Sequence, residues 1–325
     1  MTVPLHFQSV HFSAIEPGPR LIVLGAVHGN EVCGRLGILR VIDDLNSGRT
    51  RLLRGSVTFV PVTNPLAYNK VQRAGDRNLN RNLAPTDAPQ EFEDHIANWL
   101  CPQLAAHDVL LDLHSFLAPG VPFAFMGPRN NDGPLEPFAF AEQEQALAVR
   151  LGVNRFIEGW LSTYALGVER RVKVFGHQTD RATQLNTDTR YGVGTTEYMR
   201  AHGGWALTLE CGQHADPQAP DVAYTAICNT LAHLGLSDAP APEAQPASDC
   251  EMLALYEVID KMHADDRFVR PFASFDAVKQ GEQIGVRHDG APVLAAEDGC
   301  IVFPNPNAQV GQEWFYLARP SNRLR

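Results

Sequence analysis

The 325-residue chain has no closely spaced cysteine pair, no apolar run long enough to span a bilayer and no block of positive charge. Its six scattered cysteines favour reduced thiols over a disulfide framework. The missing apolar run excludes a transmembrane helix. Because the first residues also lack a basic segment followed by an apolar one, we expect no signal peptide, no membrane partner and a cytoplasmic location.

Acidic residues outnumber basic ones, and the formal net charge is -10 at pH 7. This balance argues against nucleic acid as a partner, since phosphate backbones are bound by clustered lysine and arginine. It does not argue against a small anionic substrate, because a few arginines in one pocket can outweigh the global charge. The length predicts one large domain and a smaller one, and it leaves open whether the chain forms a homo-oligomer.

Residues 21–31 contain an apolar run that leads into a polar turn. Residues 21–27 are rich in branched side chains without polar alternation, which predicts a strand buried on both faces. Apolar residues then recur at helical spacing over residues 31–45. We therefore expect His28 at the carboxyl edge of a central strand and Glu31 at the start of the next helix, where open α/β sheets bind ligands.

Two other apolar strands are predicted to end in a chemically useful side chain. Residues 109–114 end in His114, and residues 205–210 end in Glu210. Asp112 lies on the same face of its strand as His114 and is expected to orient the imidazole. The alternative for His114 is a structural histidine bonded to a backbone carbonyl. Glu210 ends a strongly apolar strand. Because burial of an unpaired carboxylate is costly, Glu210 is expected to have a partner or a function.

Strands that alternate with helices over the first 235 residues predict an α/β sheet with helices on both faces. Residues 237–248 are rich in alanine, proline and acidic side chains, which is typical of a linker. The segment after it shows short glycine-punctuated strands. We therefore predict a catalytic α/β domain over residues 1–236, a linker over 237–249 and a β-barrel-like domain over 250–325.

The His-x-x-Glu spacing of His28 and Glu31 suits two ligands of one metal ion on a strand-to-helix turn. Zinc at a hydrolytic site takes three such protein ligands and keeps a fourth position for water. Taken alone, this pair fits a solvated turn as well as a metal site. Residues 68–83 are dense in arginine, asparagine and glycine, which indicates a functional loop.

Several motifs occur together in one order along residues 20–215. They are His28-Gly-Asn-Glu31, Asn64-Pro65, Arg73, Asn78-Leu-Asn80-Arg81, Asp112-Leu-His114 and Thr208-Leu-Glu210. In this combination the chain resembles the succinylglutamate desuccinylase/aspartoacylase family, relatives of the zinc carboxypeptidases. The resemblance implies a mixed sheet flanked by helices and a C-terminal β domain that leans over the catalytic pocket.

The resemblance also implies roles for individual residues in the hydrolysis of an N-acyl amino acid. His28, Glu31 and His114 would bind one zinc ion per chain, although the same ligands also suit cobalt or manganese. Glu210 would be the general base and Arg73 would hold the oxyanion. The remaining roles concern the substrate: Asn80 and Arg81 would bind the α-carboxylate, and Arg200 would meet a carboxylate of the acyl group.

The motifs depart from the family at one position, and part of the chain matches nothing. Asn78 stands where the family has aspartate, which leaves the substrate open. Residues 160–190, where acyl selectivity would be built, show no recognisable pattern, and His177, His202 and His214 are left outside the predicted site.

Three arginines favour a substrate with two or more carboxylates. The alternatives are a small-peptide metallocarboxypeptidase, another amidohydrolase of the same fold, and a zinc-binding protein without turnover.

Overall fold

The structure is a computed structural model that describes residues 5–176 and 188–324. Its seven described helices are α1 (Cys33–Ser47), α2 (Pro65–Lys70), α3 (Phe92–Ala105), α4 (Ala141–Ala148), α5 (Trp160–Phe175), α6 (Thr195–Ala201) and α7 (Ala219–His233). Among these residues, no helix has both the length and the apolar character needed to cross a membrane. The predicted helix over 31–45 is confirmed with a small shift as α1.

The described strands form one large mixed sheet and one small antiparallel sheet. They are β1 (Val10–Ser13), β2 (Glu16–Leu24), β3 (Arg54–Val60), β4 (Val109–Phe116), β5 (Phe123–Phe125), β6 (Arg155–Glu158), β7 (Trp205–Gln213), β8 (Glu251–Asp260), β9 (Arg267–Phe268), β10 (Ala277–Val278), β11 (Gln283–Val286), β12 (Pro292–Leu294), β13 (Gly299–Val302) and β14 (Glu313–Pro320). The large sheet has the order β1-β3-β2-β4-β7-β5-β6-β8-β14-β13-β10, and β12-β11-β9 form the small one. The predicted α/β fold class, a mixed sheet flanked by helices with a small C-terminal β part, is confirmed.

The centre of the large sheet is parallel, with β3, β2, β4 and β7 side by side. Alternate residues of β2 enter two different cores: Leu21 and Val23 pack on the side of α1 and α7, and Ile22 and Leu24 pack on the side of α3. These four side chains are completely buried. Burial on both faces explains why the strand carries no polar alternation, and it leaves the carboxyl edge as the place where polar side chains gather.

Four of the C-terminal strands, β8, β10, β13 and β14, continue the large sheet, whereas β9, β11 and β12 form the small one. Strand β8 pairs in parallel with β6, and β14 then pairs antiparallel with β8. The proposed division at residues 237–249 therefore stays a prediction, and the sheet runs across it without a break. This continuity brings side chains of β14 next to the carboxyl edge of the parallel strands.

Candidate metal centre

His28 and Glu31 lie in the turn that joins β2 to α1. Strand β2 ends at Leu24, earlier than predicted, so that both residues lie in the loop beyond its carboxyl end. The amide N–H of Glu31 donates to the carbonyl oxygen of His28 at 3.1 Å, which closes the turn. Gly29 is required between them, because a Cβ there would stand 1.9 Å from the backbone carbonyl carbon of Ala67 at α2. Close packing against α2 thus sets the direction of both side chains.

The carboxylate of Glu31 lies between two imidazoles. Its Oε1 is 2.9 Å from Nδ1 of His28, and its Oε2 is 2.8 Å from Nδ1 of His114. All three side chains are buried, and their ligand atoms lie within 4.8 Å of one another. The structure therefore brings together the three residues predicted as metal ligands, although they are separated by up to 86 positions in the chain.

The outer nitrogen of each imidazole faces an oxygen. Nε2 of His28 is 3.0 Å from Oδ1 of Asn78, and Nε2 of His114 is 2.9 Å from Oδ2 of Asp112. The hydroxyl of Thr195 donates to the same Asp112 oxygen. Such outer contacts fix the tautomer and the orientation of metal-binding histidines. The predicted role of Asp112 is consistent with this geometry, and Asn78 has the equivalent position at His28.

The donor set fits a divalent cation such as zinc. Nδ1 of His28 is buried, and no described residue, including Glu31 at 2.9 Å, makes a well-aligned hydrogen bond to it. Burial and the nearby Arg73 lower the pKa of His28 to about 4, so its imidazole is neutral at physiological pH. Burial opposes ionisation of Glu31, but His28 and His114 hold the pKa of its carboxyl well below the usual range. Burial opposes protonation of His114, but Asp112 and Glu31 raise its pKa well above the usual range, so a metal bound there would displace a proton. Neutral His28 and ionised Glu31 are already in the forms that bind zinc.

Glu210 lies beside this cluster on the neighbouring strand. It pairs in register with His114 across β4 and β7, and both residues line the same cavity. Its Oε2 is buried and has no hydrogen-bond partner within residues 5–176 and 188–324. Burial raises the pKa of the Glu210 carboxyl to about 8, and the negative charge of Glu31 adds to the effect. A carboxyl group with a pKa near neutrality is able to accept a proton and return it.

The loop that carries Arg73 is attached to α3 by several contacts, in which the buried carboxylate of Glu93 accepts most of the backbone N–H groups. Nη1 of Arg73 donates to Oε1 of Glu31 at 3.0 Å, and about half of the arginine side chain is exposed. Glu93 accepts the backbone N–H groups of Gly75, Asp76 and Arg77 at 2.9, 3.1 and 3.2 Å. The predicted functional loop is therefore ordered by contacts with Glu93, which no motif had singled out.

Asn80 and Arg81 also line the cavity. Oδ1 of Asn80 accepts the N–H of Thr195 at 2.9 Å, and this approach leaves no space for a Cβ at Gly194. Arg81 is buried, with its Nη2 3.5 Å from Oε1 of Glu313. Both residues reach the site, and their contact with a substrate carboxylate stays a prediction.

Arg200 reaches the cavity wall with four of its five N–H groups already engaged. Its Nε donates to Glu144 at 2.7 Å, its Nη1 to Glu136 at 2.9 Å, and its Nη2 to the carbonyl oxygen of Ala206 at 2.8 Å. The guanidinium also lies 3.4 Å from Glu197. The predicted contact of Arg200 with an acyl carboxylate stays a prediction, and the structure adds three carboxylates around it.

The cavity that contains these residues has a volume of about 770 Å³. Glu313 and Tyr316 of β14 line it, together with Phe303 from the preceding loop. The hydroxyl of Tyr316 is buried and has no hydrogen-bond partner in the described part of the chain. His214 also lines the cavity, with Nδ1 2.9 Å from Oγ of Ser115.

Sequence reasoning missed the contributions from β14, because no motif marks them. The selectivity stretch at 160–190 partly lies outside the described residues, as does His177. Its described part forms α5, which places Trp160 on the cavity wall. No pattern in the sequence pointed to that position.

Comparison with known families and structures agrees with the fold and with the motifs. The model of the succinylglutamate desuccinylase/aspartoacylase catalytic domain matches residues 17–144, which include the three ligands, Arg73, Asn80 and Arg81. No curated protein matches the chain at a significant level.

Solved structures of similar fold cover nearly all of the chain. A succinylglutamate desuccinylase from Vibrio cholerae has a TM-score of 0.69 at 19% identity, covering 94% of this chain and 82% of its own. A succinylglutamate desuccinylase/aspartoacylase from Rhodobacter sphaeroides has a TM-score of 0.67 at 19% identity, covering 94% and 87%. The product-bound ectoine utilization protein EutE (DoeB) from Ruegeria pomeroyi has a TM-score of 0.67 at 15% identity, covering 96% and 88%. The resemblance to the succinylglutamate desuccinylase/aspartoacylase family that the motifs indicated is thereby confirmed, with the catalytic-domain match over residues 17–144 and the fold over the whole chain.

Proposed function

We propose that the protein is a zinc-dependent hydrolase that cleaves the amide bond of an N-acyl amino acid. The observation that carries this proposal is the convergence of His28, Glu31 and His114 in one buried cluster at the wall of a cavity that His28, His114 and Glu210 line. Three ligands with an adjacent carboxyl group are the usual composition of a hydrolytic zinc site, and structural zinc sites have four protein ligands. The catalytic-domain match and the names of the similar structures support an amidohydrolase reaction.

The residues of the cavity supply the other requirements of amide hydrolysis. A zinc ion held by the three ligands would supply Lewis-acid polarisation of the carbonyl and a lowered pKa for water. Glu210 takes the proton of the attacking water and delivers it to the departing amine. The half-exposed guanidinium of Arg73 faces the same space and stabilises the oxyanion. Asn80 and Arg81 hold the carboxylate of the amino acid, and Tyr316 offers a further hydroxyl donor.

A zinc-binding protein without turnover is the weaker candidate. Such a protein has no need of a buried carboxyl group with a raised pKa next to its ligands. Similarly, it does not need a guanidinium held beside the ligand Glu31. We therefore expect catalysis on a small N-acyl amino acid in the cytoplasm, with neither nucleic acid nor membrane as a partner.

Metal analysis and an amine-release screen test this proposal. We expect one zinc ion per chain and release of free amine from N-acetyl, N-formyl or N-succinyl amino acids, with dipeptides included to detect a carboxypeptidase. Glu210→Gln should retain the metal and lose about 10²–10⁴-fold in turnover, the usual contribution of a general base. Glu142→Gln is the matched control, because Glu142 is exposed on α4. Unchanged turnover in Glu210→Gln would contradict the mechanism.

A further inference from the structure

The charge of the buried Arg200 in the cavity wall is already balanced by the protein itself. Each of the three nitrogens of the Arg200 guanidinium has an acceptor within the protein: Glu144, Glu136 and the carbonyl oxygen of Ala206. An incoming carboxylate needs two parallel N–H groups on one edge of a guanidinium. Because these groups are engaged, Arg200 is not prepared to receive a carboxylate of the substrate.

The surroundings of Arg200 carry more negative than positive charge. Glu136 and Glu197 both line the cavity, and Glu144 lies buried behind them. Three carboxylates around one guanidinium repel a further anion at close range. At the other side of the cavity, Arg81 has Glu313 as its partner at 3.5 Å. Arg129 also lines the cavity, but it is exposed, and water and salt screen its charge. The two buried guanidiniums of the cavity, Arg81 and Arg200, therefore already have carboxylate partners in the protein.

A continuous group of aromatic rings forms the apolar part of the cavity. This aromatic wall consists of Phe116, Phe125, Trp160, Phe303 and Tyr316, all of which line the cavity. The ring centroids of Phe125 and Trp160 are 5.6 Å apart, and those of Trp160 and Tyr316 are 5.3 Å apart. These spacings are typical of packed aromatic pairs. An aromatic ring of a bound substrate could make the same edge-to-face or offset contacts with the wall.

The aromatic wall also reaches the predicted carboxylate subsite. The guanidinium of Arg81 lies 5.0 Å from the ring centroid of Trp160. A substrate whose carboxylate faces Arg81 would thus place its neighbouring atoms against aromatic carbon. The cavity volume of about 770 Å³ lies within the range of pockets that enclose drug-sized ligands, well beyond the needs of an acetyl group.

From these observations we infer that the site binds N-acyl amino acids with a single carboxylate and a bulky apolar, preferably aromatic, remainder, and that it discriminates against a second carboxylate. The inference rests on the proposed function for the reaction that follows binding. It departs from the expectation that three arginines select a substrate with two or more carboxylates. The protein's own glutamates provide the reason for the difference.

Binding measurements on a slow variant test the preference directly. Zinc-loaded Glu210→Gln is titrated calorimetrically with N-acetyl-L-phenylalanine, N-acetyl-L-alanine, N-acetyl-L-aspartate and N-succinyl-L-glutamate. We expect the phenylalanine compound to bind about tenfold or more tightly than the alanine compound, as burial of an aromatic side chain implies. Both dicarboxylates should bind more weakly than N-acetyl-L-alanine. Should Glu210→Gln fail to fold, competitive inhibition by the same compounds in the wild-type protein gives the same order.

Two cavity variants and one distant control separate recognition from general damage. Trp160→Leu should reduce the preference for the phenylalanine compound over the alanine compound about five- to tenfold. Glu136→Gln should reduce the discrimination against N-acetyl-L-aspartate, because one of the three carboxylates loses its charge. Phe12→Leu is the control, since Phe12 packs on Phe59 at the opposite end of the sheet and should leave both ratios unchanged.

The outcomes distinguish this inference from the proposed function. Tighter binding of either dicarboxylate than of N-acetyl-L-phenylalanine overturns the inference, and hydrolysis of that dicarboxylate would leave the proposed function standing. The expected order of binding without release of amine from any compound by the wild-type protein supports the inference and removes the proposed function. Equal ratios in Trp160→Leu and in the Phe12→Leu control would also overturn the inference.

Discussion

The side-chain oxygen of Asn78 accepts a hydrogen bond from the outer nitrogen of His28, with Oδ1 and Nε2 3.0 Å apart. The backbone N–H of Asn80 donates to the same oxygen at 3.0 Å and holds the amide in place. This contact leaves Nδ1 of His28 directed at Glu31. His114 has the charged Asp112 in the corresponding position, so the two imidazoles are oriented by partners of different charge.

Replacing Asn78 should weaken metal binding. We expect Asn78→Leu to lower zinc affinity about 10–100-fold, because the partner that orients a metal-binding histidine is lost. Asn78→Asp is the matched variant: it retains an oxygen and should keep or increase the affinity. Competition with a chromophoric chelator measures both. Equal affinities in wild type and Asn78→Leu would show that the contact does not orient the ligand.

Removal of the metal should destabilise the folded protein. A ligand present at about 1,000 times its dissociation constant adds about 4 kcal/mol to the stability of the folded state, which for a chain of this size corresponds to a fall in Tm of about 6 °C on removal. Scanning calorimetry before and after chelation, and again after zinc is restored, measures the effect. His114→Ala should show no such shift, because it lacks one ligand. A shift of equal size in that variant would place the metal elsewhere.

The convergence of His28, Glu31 and His114 could be predicted because these residues lie next to parallel strands, whereas the composition of the cavity wall could not. His114 and Glu210 close apolar runs, and the carboxyl ends of parallel strands meet at one edge. Glu313 lies in β14, which reaches the site only because β8 pairs with β6. Pairing between strands so distant in the chain leaves no local pattern. The same holds for Glu136 and Glu144, which reach Arg200 from more than 50 positions away.

The stability of the protein should depend on the ionisation of Asp94 at the start of α3. Its carboxylate accepts the N–H groups of Gln90 and Glu91 at 2.8 and 3.1 Å and pairs with Arg77 at 3.0 Å. Burial opposes its ionisation, but these contacts lower its pKa from 3.8 to about 2. A depressed pKa stabilises the folded state above the unfolded pKa, and this contribution disappears as the pH falls towards the folded pKa.

We therefore expect Asp94→Asn to lose about 2 kcal/mol of unfolding free energy at pH 7, from a difference of nearly two pKa units. The difference between variant and wild type should shrink as the pH falls from 4 to 2. Urea unfolding at pH 7, 4 and 3 measures it. Asp87→Asn is the control, since Asp87 is exposed. A difference that stayed constant down to pH 3 would assign the effect to lost packing and not to charge.

Glu93 should govern activity although it does not line the cavity. Its Oε1 accepts from Gly75 and from Nδ2 of Asn64 at 2.9 and 2.8 Å, and its Oε2 accepts from Asp76 and Arg77 at 3.1 and 3.2 Å. The side chain is completely buried, so it cannot exchange these partners for water.

Glu93→Gln replaces one acceptor oxygen by an NH₂ group. The N–H groups that donate to that oxygen then face another donor and lose their acceptor. We expect a loss of about 1–3 kcal/mol in stability from the unpaired groups. Activity should fall about 10–100-fold, because small misplacements of a catalytic group are costly and the loop carries Arg73. His95→Gln on the same helix is the control, since His95 is exposed.

Steady-state kinetics and zinc affinity together test the positioning role of Glu93. If the carboxylate acts mainly by holding Arg73, kcat should fall while zinc affinity falls less than in Asn78→Leu, because the loop contacts His28 only through Asn78 among the described residues. A parallel loss of zinc would instead mean that the variant disturbs the ligands. Normal kcat in a folded Glu93→Gln protein would show that the loop keeps its position without the Glu93 carboxylate. The stabilisation of the oxyanion would then not depend on Glu93.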